Sequence, residues 1–122
     1  MRAILLILVG IIGISAPWHE LAAQEWKQNT QLLPQYCNDR AKGTNSPEWS
    51  KWRSTFGEVF IHMHHYCNGV YAEQKAKIAT NQRQRNSCLG SVISEMQYLG
   101  KHCNTRCVIY PDLHTRMGLA FG

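Results

Sequence analysis

Val59, Met63, Tyr66 and Val70 recur at steps of four, three and four residues, with Phe56, Phe60 and Cys67 beside them. That spacing puts one apolar stripe on a helix of 3.6-residue period and fits no strand, whose faces alternate every second residue. Leu89, Val92, Met96 and Leu99 repeat the pattern, and Leu113, Met117 and Ala120 begin a third stripe. No segment alternates as a strand meander does. The expected architecture is all-α, with three to four helices in antiparallel hairpins. A helix of Leu113–Phe121 is too short to hold alone and must dock on its neighbours.

Local punctuation refines this reading. Ser46-Pro47-Glu48 is a helix start, with Ser as N-cap, Pro in the first helical position and an acid in the first turn. That helix carries Trp49, Trp52 and Arg53 and stops near Phe56-Gly57. Residues 38–46, rich in Asn, Gly and Ser, read as loop. The long helix is expected from Glu58 to about Lys77, and the next from Asn86 to about Lys101. Lys75–Arg85, with four cations and no acid, then forms the end of one helix and an exposed connection.

Upstream lies a different composition. Arg2 is the only charge before Glu20, and Ala3–Ala16 is a continuous small-and-apolar run. A short positive start followed by such a run matches a secretory signal peptide. The run falls short of the ~20 residues that span a bilayer core. Pro17 disfavours cleavage after Ala16; cleavage after Ala23 divides the chain into residues 1–23 and a helical domain of residues 24–122. That leaves 99 of the 122 residues, removes Arg2 with Glu20, and keeps the net charge of +5. Gln24–Leu33 is then a polar lead-in. The rival is an uncleaved anchor extended through Trp18 and Leu21, in which case Ala3–Ala16 ties the chain to the inner membrane. Either way the working part faces the periplasm, and 99 residues suffice for one small domain only.

All five cysteines follow that run. In an oxidising compartment disulfides are their default state. Cys37–Cys67 closes a loop of about 30 residues, worth roughly 3–4 kcal/mol in the chain-entropy model, and is the best pair. Cys103 and Cys107 can be bridged only if the preceding helix has ended by Asn104, since four-residue helical spacing keeps the side chains too far apart. Cys88 is then the odd thiol.

His62-Met63-His64-His65-Tyr66-Cys67 holds the densest potential ligands. At about 100° per residue only His62 and His65 are neighbours off the apolar stripe, so they offer two of the three or four donors a copper or zinc site needs. His102 or His114 is a candidate third donor. The competing view has both rings edging the core, bonded to backbone or tyrosine. No standard zinc spacing, haem-attachment motif or redox Cys-x-x-Cys occurs. Cys67 as a nucleophile beside His64 or His65 is opposed by its expected disulfide, and the scattered carboxylates argue against two-carboxylate catalysis. No enzyme is expected. The cations Lys75, Lys77, Arg83 and Arg85 are candidates for an anionic partner such as nucleic acid or lipid headgroups, but they lack interleaved aromatics and the expected reading is a solvated stretch with no nucleic acid. Trp49 and Trp52 are candidate partner-facing anchors, with core packing the equal alternative.

From Leu33 to Phe121 the chain resembles a family of exported proteobacterial proteins built from tetratricopeptide-like helix pairs. The likeness rests on Leu33-Pro34-Gln35-Tyr36-Cys37, on Trp52 followed by Phe60-Ile61-His62-Met63-His64-His65-Tyr66-Cys67-Asn68-Gly69, on Gln97-Tyr98-Leu99-Gly100, and on Pro111-Asp112-Leu113-His114. Cys88, Cys103 and Cys107 fall outside that pattern, and such relatives continue with further helix pairs. The resemblance implies a periplasmic helix-hairpin scaffold, completed by a partner where an array is short. The expected role is therefore an accessory subunit that mediates protein–protein contact in an envelope complex. The rival is a copper- or zinc-binding or redox accessory protein using His62 and His65.

Overall fold

The computed structural model describes residues 33–122. The expected signal peptide, its cleavage after Ala23, the anchor alternative and the lead-in as far as Leu32 lie outside the described residues. Within them the chain is all-α, with no strand. Helix α1 is Gln35–Arg40, α2 Pro47–Phe56, α3 Met63–Ile78, α4 Gln82–Gly100 and α5 Tyr110–Phe121, with a 3-10 segment, Gly57–His62, between α2 and α3. The helices α2 to α5, of 10, 16, 19 and 12 residues, make a four-helix bundle. Among the described residues no helix is long and apolar enough to cross a membrane.

The α2 start follows the sequence signal. The Ser46 hydroxyl accepts from the Trp49 amide at 3.2 Å, and Pro47 occupies the first turn. Gly57 ends α2 at φ 72, a left-handed conformation that costs glycine little and other residues much.

The expected single helix from Glu58 is corrected here: residues 57–62 wind as 3-10, and α3 proper begins at Met63. In 3-10 winding side chains three apart eclipse, so Phe60 and Met63 both point inward and both are fully buried. A second correction concerns Lys75–Arg85. Helix α3 runs on to Ile78 and α4 starts at Gln82, where the Asn81 side chain accepts from the Gln84 amide at 2.9 Å. The connection is only Ala79–Asn81, and the polar Gln82–Arg85 turn is helical because it is capped. Likewise α5 starts at Tyr110, and α1 takes in residues 38–40 of the expected loop at residues 38–46.

Phe60, Met63, Tyr66, Cys67 and Val70 pack against Val92, Met96 and Leu99 of α4 and Leu113 of α5, with Leu33 and Cys37 closing one side. Gly69 lets α3 and α4 approach: a Cβ there would sit 2.5 Å from Met96 Cε. Gly100 at the end of α4 lies beside Leu113 near the start of α5, so α4 and α5 run antiparallel, as α3 and α4 do across their short turn. Leu89, an expected core residue, is half-buried at the bundle rim, and Met117 and Ala120 flank the core.

Two disulfides are present. Cys37–Cys67 ties α1 to α3, with Cα atoms 5.8 Å apart. Cys103–Cys107 lies in the α4–α5 link, Cα atoms 5.2 Å apart, after α4 has already ended at Gly100. Cys88 is a free thiol on α4.

Candidate functional site

The start of α3 and the end of α4 meet at one end of the bundle, and their aromatic rings meet with them. His62 and His102 stack with centroids 3.7 Å apart and an interplanar angle of 12°. His65 lies 3.7 Å from the Tyr98 ring, and Tyr98 in turn is 5.2 Å from His102. Four rings, from the 3-10 segment, α3, α4 and the α4–α5 link, thus form one continuous platform. Its floor is fixed by Glu95: one carboxylate oxygen is 2.5 Å from His65 Nδ1, and the other accepts from Asn68 Nδ2 at 3.2 Å. Tyr98 is 38% and the adjoining Ile61 44% exposed, so the platform faces solvent.

His64 tilts against His65, ring centroids 4.0 Å apart, and reaches from there to Arg40. Arg40 Nη2 donates to its Nδ1 at 3.2 Å and to the Ile61 carbonyl at 2.7 Å. A guanidinium has no acceptor, so His64 Nδ1 is the acceptor and its proton sits on Nε2. Burial first, then the nearby His65 and Arg40, push His64 down to about 4. His62 is lowered too, by burial and then by His102. Both are neutral rings at pH 7.

His62 gains the third histidine that the sequence allowed, His102, but as a stacked ring. Stacking sets faces together, whereas ligation needs lone pairs aimed at one point. His65 Nδ1 is occupied by Glu95, and His114 pairs with Tyr110 elsewhere, centroids 4.2 Å apart. Among the described residues no three His, Cys, Asp or Glu side chains are placed to hold a metal ion. That geometry disfavours the copper or zinc reading of His62 and His65. Cys67 is bonded to Cys37 and offers no thiolate.

Trp49 and Trp52, the candidate anchors, are half-buried and engaged within the chain. Trp49 meets Phe60 edge-on at 5.0 Å, with the Arg40 guanidinium 4.9 Å above its ring. Trp52 packs on Tyr36 and Phe56, and its Nε1 donates to Asp39 at 2.8 Å. The residues that sequence reasoning passed over are Arg40, Glu95 and Tyr98. Nothing local marks the first two; Tyr98 follows Met96 by two residues, off the buried face, and that offset was a legible sign of an exposed aromatic.

No protein-family model matches this chain, and no curated protein and no solved structure shows significant similarity to it.

Proposed function

We propose that the chain is a periplasmic, non-enzymatic helical scaffold: an accessory subunit that mediates protein–protein contact in an envelope complex through the His62–His65–Tyr98–His102 platform. The observation that carries this reading is the platform itself, a rigid, solvent-facing array of rings with apolar Ile61 at its edge. Exposed aromatics held in place by their neighbours lose little entropy on binding, and tyrosine is enriched where interfaces concentrate their energy. Two disulfides support export to an oxidising compartment. The antiparallel pairing of α3, α4 and α5 supports membership of the exported tetratricopeptide-like family, whose helix hairpins present binding surfaces.

The test is affinity capture from native membranes with the wild type and with Tyr98→Ala/His102→Ala, both at exposed positions. The platform variant should lose specific envelope proteins that the wild type retains. An unchanged set of captured proteins would overturn the assignment of the platform. Metal analysis of the purified wild type is an independent check: stoichiometric copper or zinc, lost with His62→Ala/His65→Ala, would overturn the scaffold reading.

A further inference from the structure

The opposite end of the bundle has different chemistry. There α3 ends, α4 begins and α5 ends, because the three helices alternate in direction. Ile78, Leu119 and Phe121 are 79%, 72% and 69% exposed, the three most exposed large apolar side chains among the described residues. Leu119 shares a cleft of about 190 Å³ with Lys77 and Arg85. Ile78 borders a second cleft together with Lys75 and Arg83. Residues 74–94 and 113–122 contain no Asp or Glu. Glu73, the one carboxylate lining the smaller cleft, is engaged by Arg116 and by Lys77 at 3.2 Å. Ile78 and Leu119 are thus flanked by cations, with no Asp or Glu on the same sequence stretches.

We propose that this end is a docking surface for an anionic phospholipid bilayer. Ile78, Leu119 and Phe121 enter the boundary between headgroups and acyl chains, and Lys75, Lys77, Arg83 and Arg85 meet the lipid phosphates. Apolar insertion plus cation attraction is the usual recipe for a reversible interfacial contact. The geometry favours a bilayer over an acidic protein segment. The apolar side chains stand out at the ends of two helices, and the clefts that Ile78 and Leu119 border are lined by cations and by one carboxylate, Glu73, that is already paired. This contact does not depend on the ring platform and leaves that surface facing away from the membrane.

Vesicle flotation tests it, with the full chain in the form the cell produces. Vesicles of phosphatidylglycerol and phosphatidylethanolamine are compared with neutral phosphatidylcholine vesicles. The quantity read is the difference between the two, so any contribution of the apolar N-terminal run is common to all variants. The wild type should prefer the anionic vesicles, and the preference should vanish near 1 M salt, where the Debye length is about 3 Å. A cation near such a surface is worth about fivefold in binding, so Arg83→Glu/Arg85→Glu should weaken it more than about tenfold. Leu119→Glu/Phe121→Glu should weaken it as clearly. Lys101→Glu/Arg106→Glu carries the same change in net charge on exposed positions at the platform end and should bind as the wild type does. The proposal is overturned if the wild type shows no anionic preference, or if this control weakens binding as much as the Arg83/Arg85 variant. It is also overturned if the Leu119/Phe121 variant keeps full vesicle binding, including the case in which it loses an acidic envelope protein instead.

Discussion

The Tyr66 hydroxyl donates to the Asp112 carboxylate, 46 residues further along, and so fastens α5 to α3. Arg116 Nε donates to both, at 3.2 Å to the Tyr66 oxygen and 2.8 Å to Asp112, while its Nη1 reaches Glu73. Burial, reinforced by Asp112, raises the Tyr66 hydroxyl well above the ordinary tyrosine value, so it stays a donor. Tyr66→Phe should cost about 1–2 kcal/mol, the usual loss when a part-buried partner to a charged group disappears. Arg116→Ala removes the cation that Glu73 and Asp112 share, leaving Lys77 and the Tyr66 hydroxyl as their partners, and should cost somewhat more, about 2 kcal/mol. Arg116→Lys should recover only part of that, because an ammonium cannot span both acids as a fork does. Urea denaturation of the three variants gives the order directly.

The two disulfides should differ in weight. Chain-entropy reasoning assigns about 3.7 kcal/mol to the 30-residue separation of Cys37–Cys67 and about 2 kcal/mol to the four-residue separation of Cys103–Cys107. Cys37→Ser/Cys67→Ser also places hydroxyls where both sulfurs are fully buried. For a domain of this size about 4–8 °C of Tm accompanies each kcal/mol. The first pair should therefore lower Tm by more than about 15 °C and the second by about half as much, read by calorimetry of the oxidised proteins.

Acid should destabilise the fold in two separate windows. The folded-state pKa of His64 lies at about 4, against an ordinary 6.5. The unfolded chain therefore takes up its proton first, and stability falls as pH drops from 6.5 towards 4. For a half-buried ring, solvent screening reduces the effect to about 1–2 kcal/mol. Asp39 is held down to about 2, against an ordinary 3.8, first by the Trp52 indole and then by Lys42. Its contribution is complete above 3.8 and is lost as pH falls through about 2. Urea midpoints measured across pH should show both steps in the wild type. His64→Gln should shrink the upper step, to which His62 also contributes, and leave the lower one in place.

Gly69 and Met96 should show energetic coupling. Gly69→Ala gains about 1 kcal/mol of helix propensity but overpacks a fully buried methionine, a cost of about 1–3 kcal/mol, for a net loss near 1 kcal/mol. Gly69→Val should lose about 3 kcal/mol, since a stiff, β-branched side chain adds bulk against the same buried methionine. Met96→Leu shortens the opposing side chain and should relieve Gly69→Ala. A double-mutant cycle with coupling above about 0.5 kcal/mol is the expected result.

The stripes at Val59–Val70 and Leu89–Leu99 were legible because burial imposes a period that sequence displays directly. The Ser46-Pro47 start was legible because capping is local chemistry. Helix α1 was not: six residues carry no measurable period, and it is held by Cys37–Cys67 and by Asp39, which binds Trp52 and Gln35. The α4 start was missed because Gln82–Arg85 has no apolar residue, although Asn81 followed three residues later by a glutamine was an available cap signal. His62 and His65 were found as residues but not as a surface. Their partners Tyr98 and His102 lie across the α3–α4 hairpin, and pairing between elements is written in packing, not in spacing.

The 3-10 segment sets a limit on length. Each residue wound at about 120° instead of about 100° advances the chain by some 20°, so Gly57–His62 sets the angle at which α3 leaves α2. Deleting or inserting one residue there would turn His62 and Ile61 away from Tyr98 and His102 while sending Phe60 out of the core. Residues 104–106, exposed between the bridged Cys103 and Cys107, have no such phase to keep. The molecule should accept changes of length in that small loop and refuse them in the six residues that aim its rings.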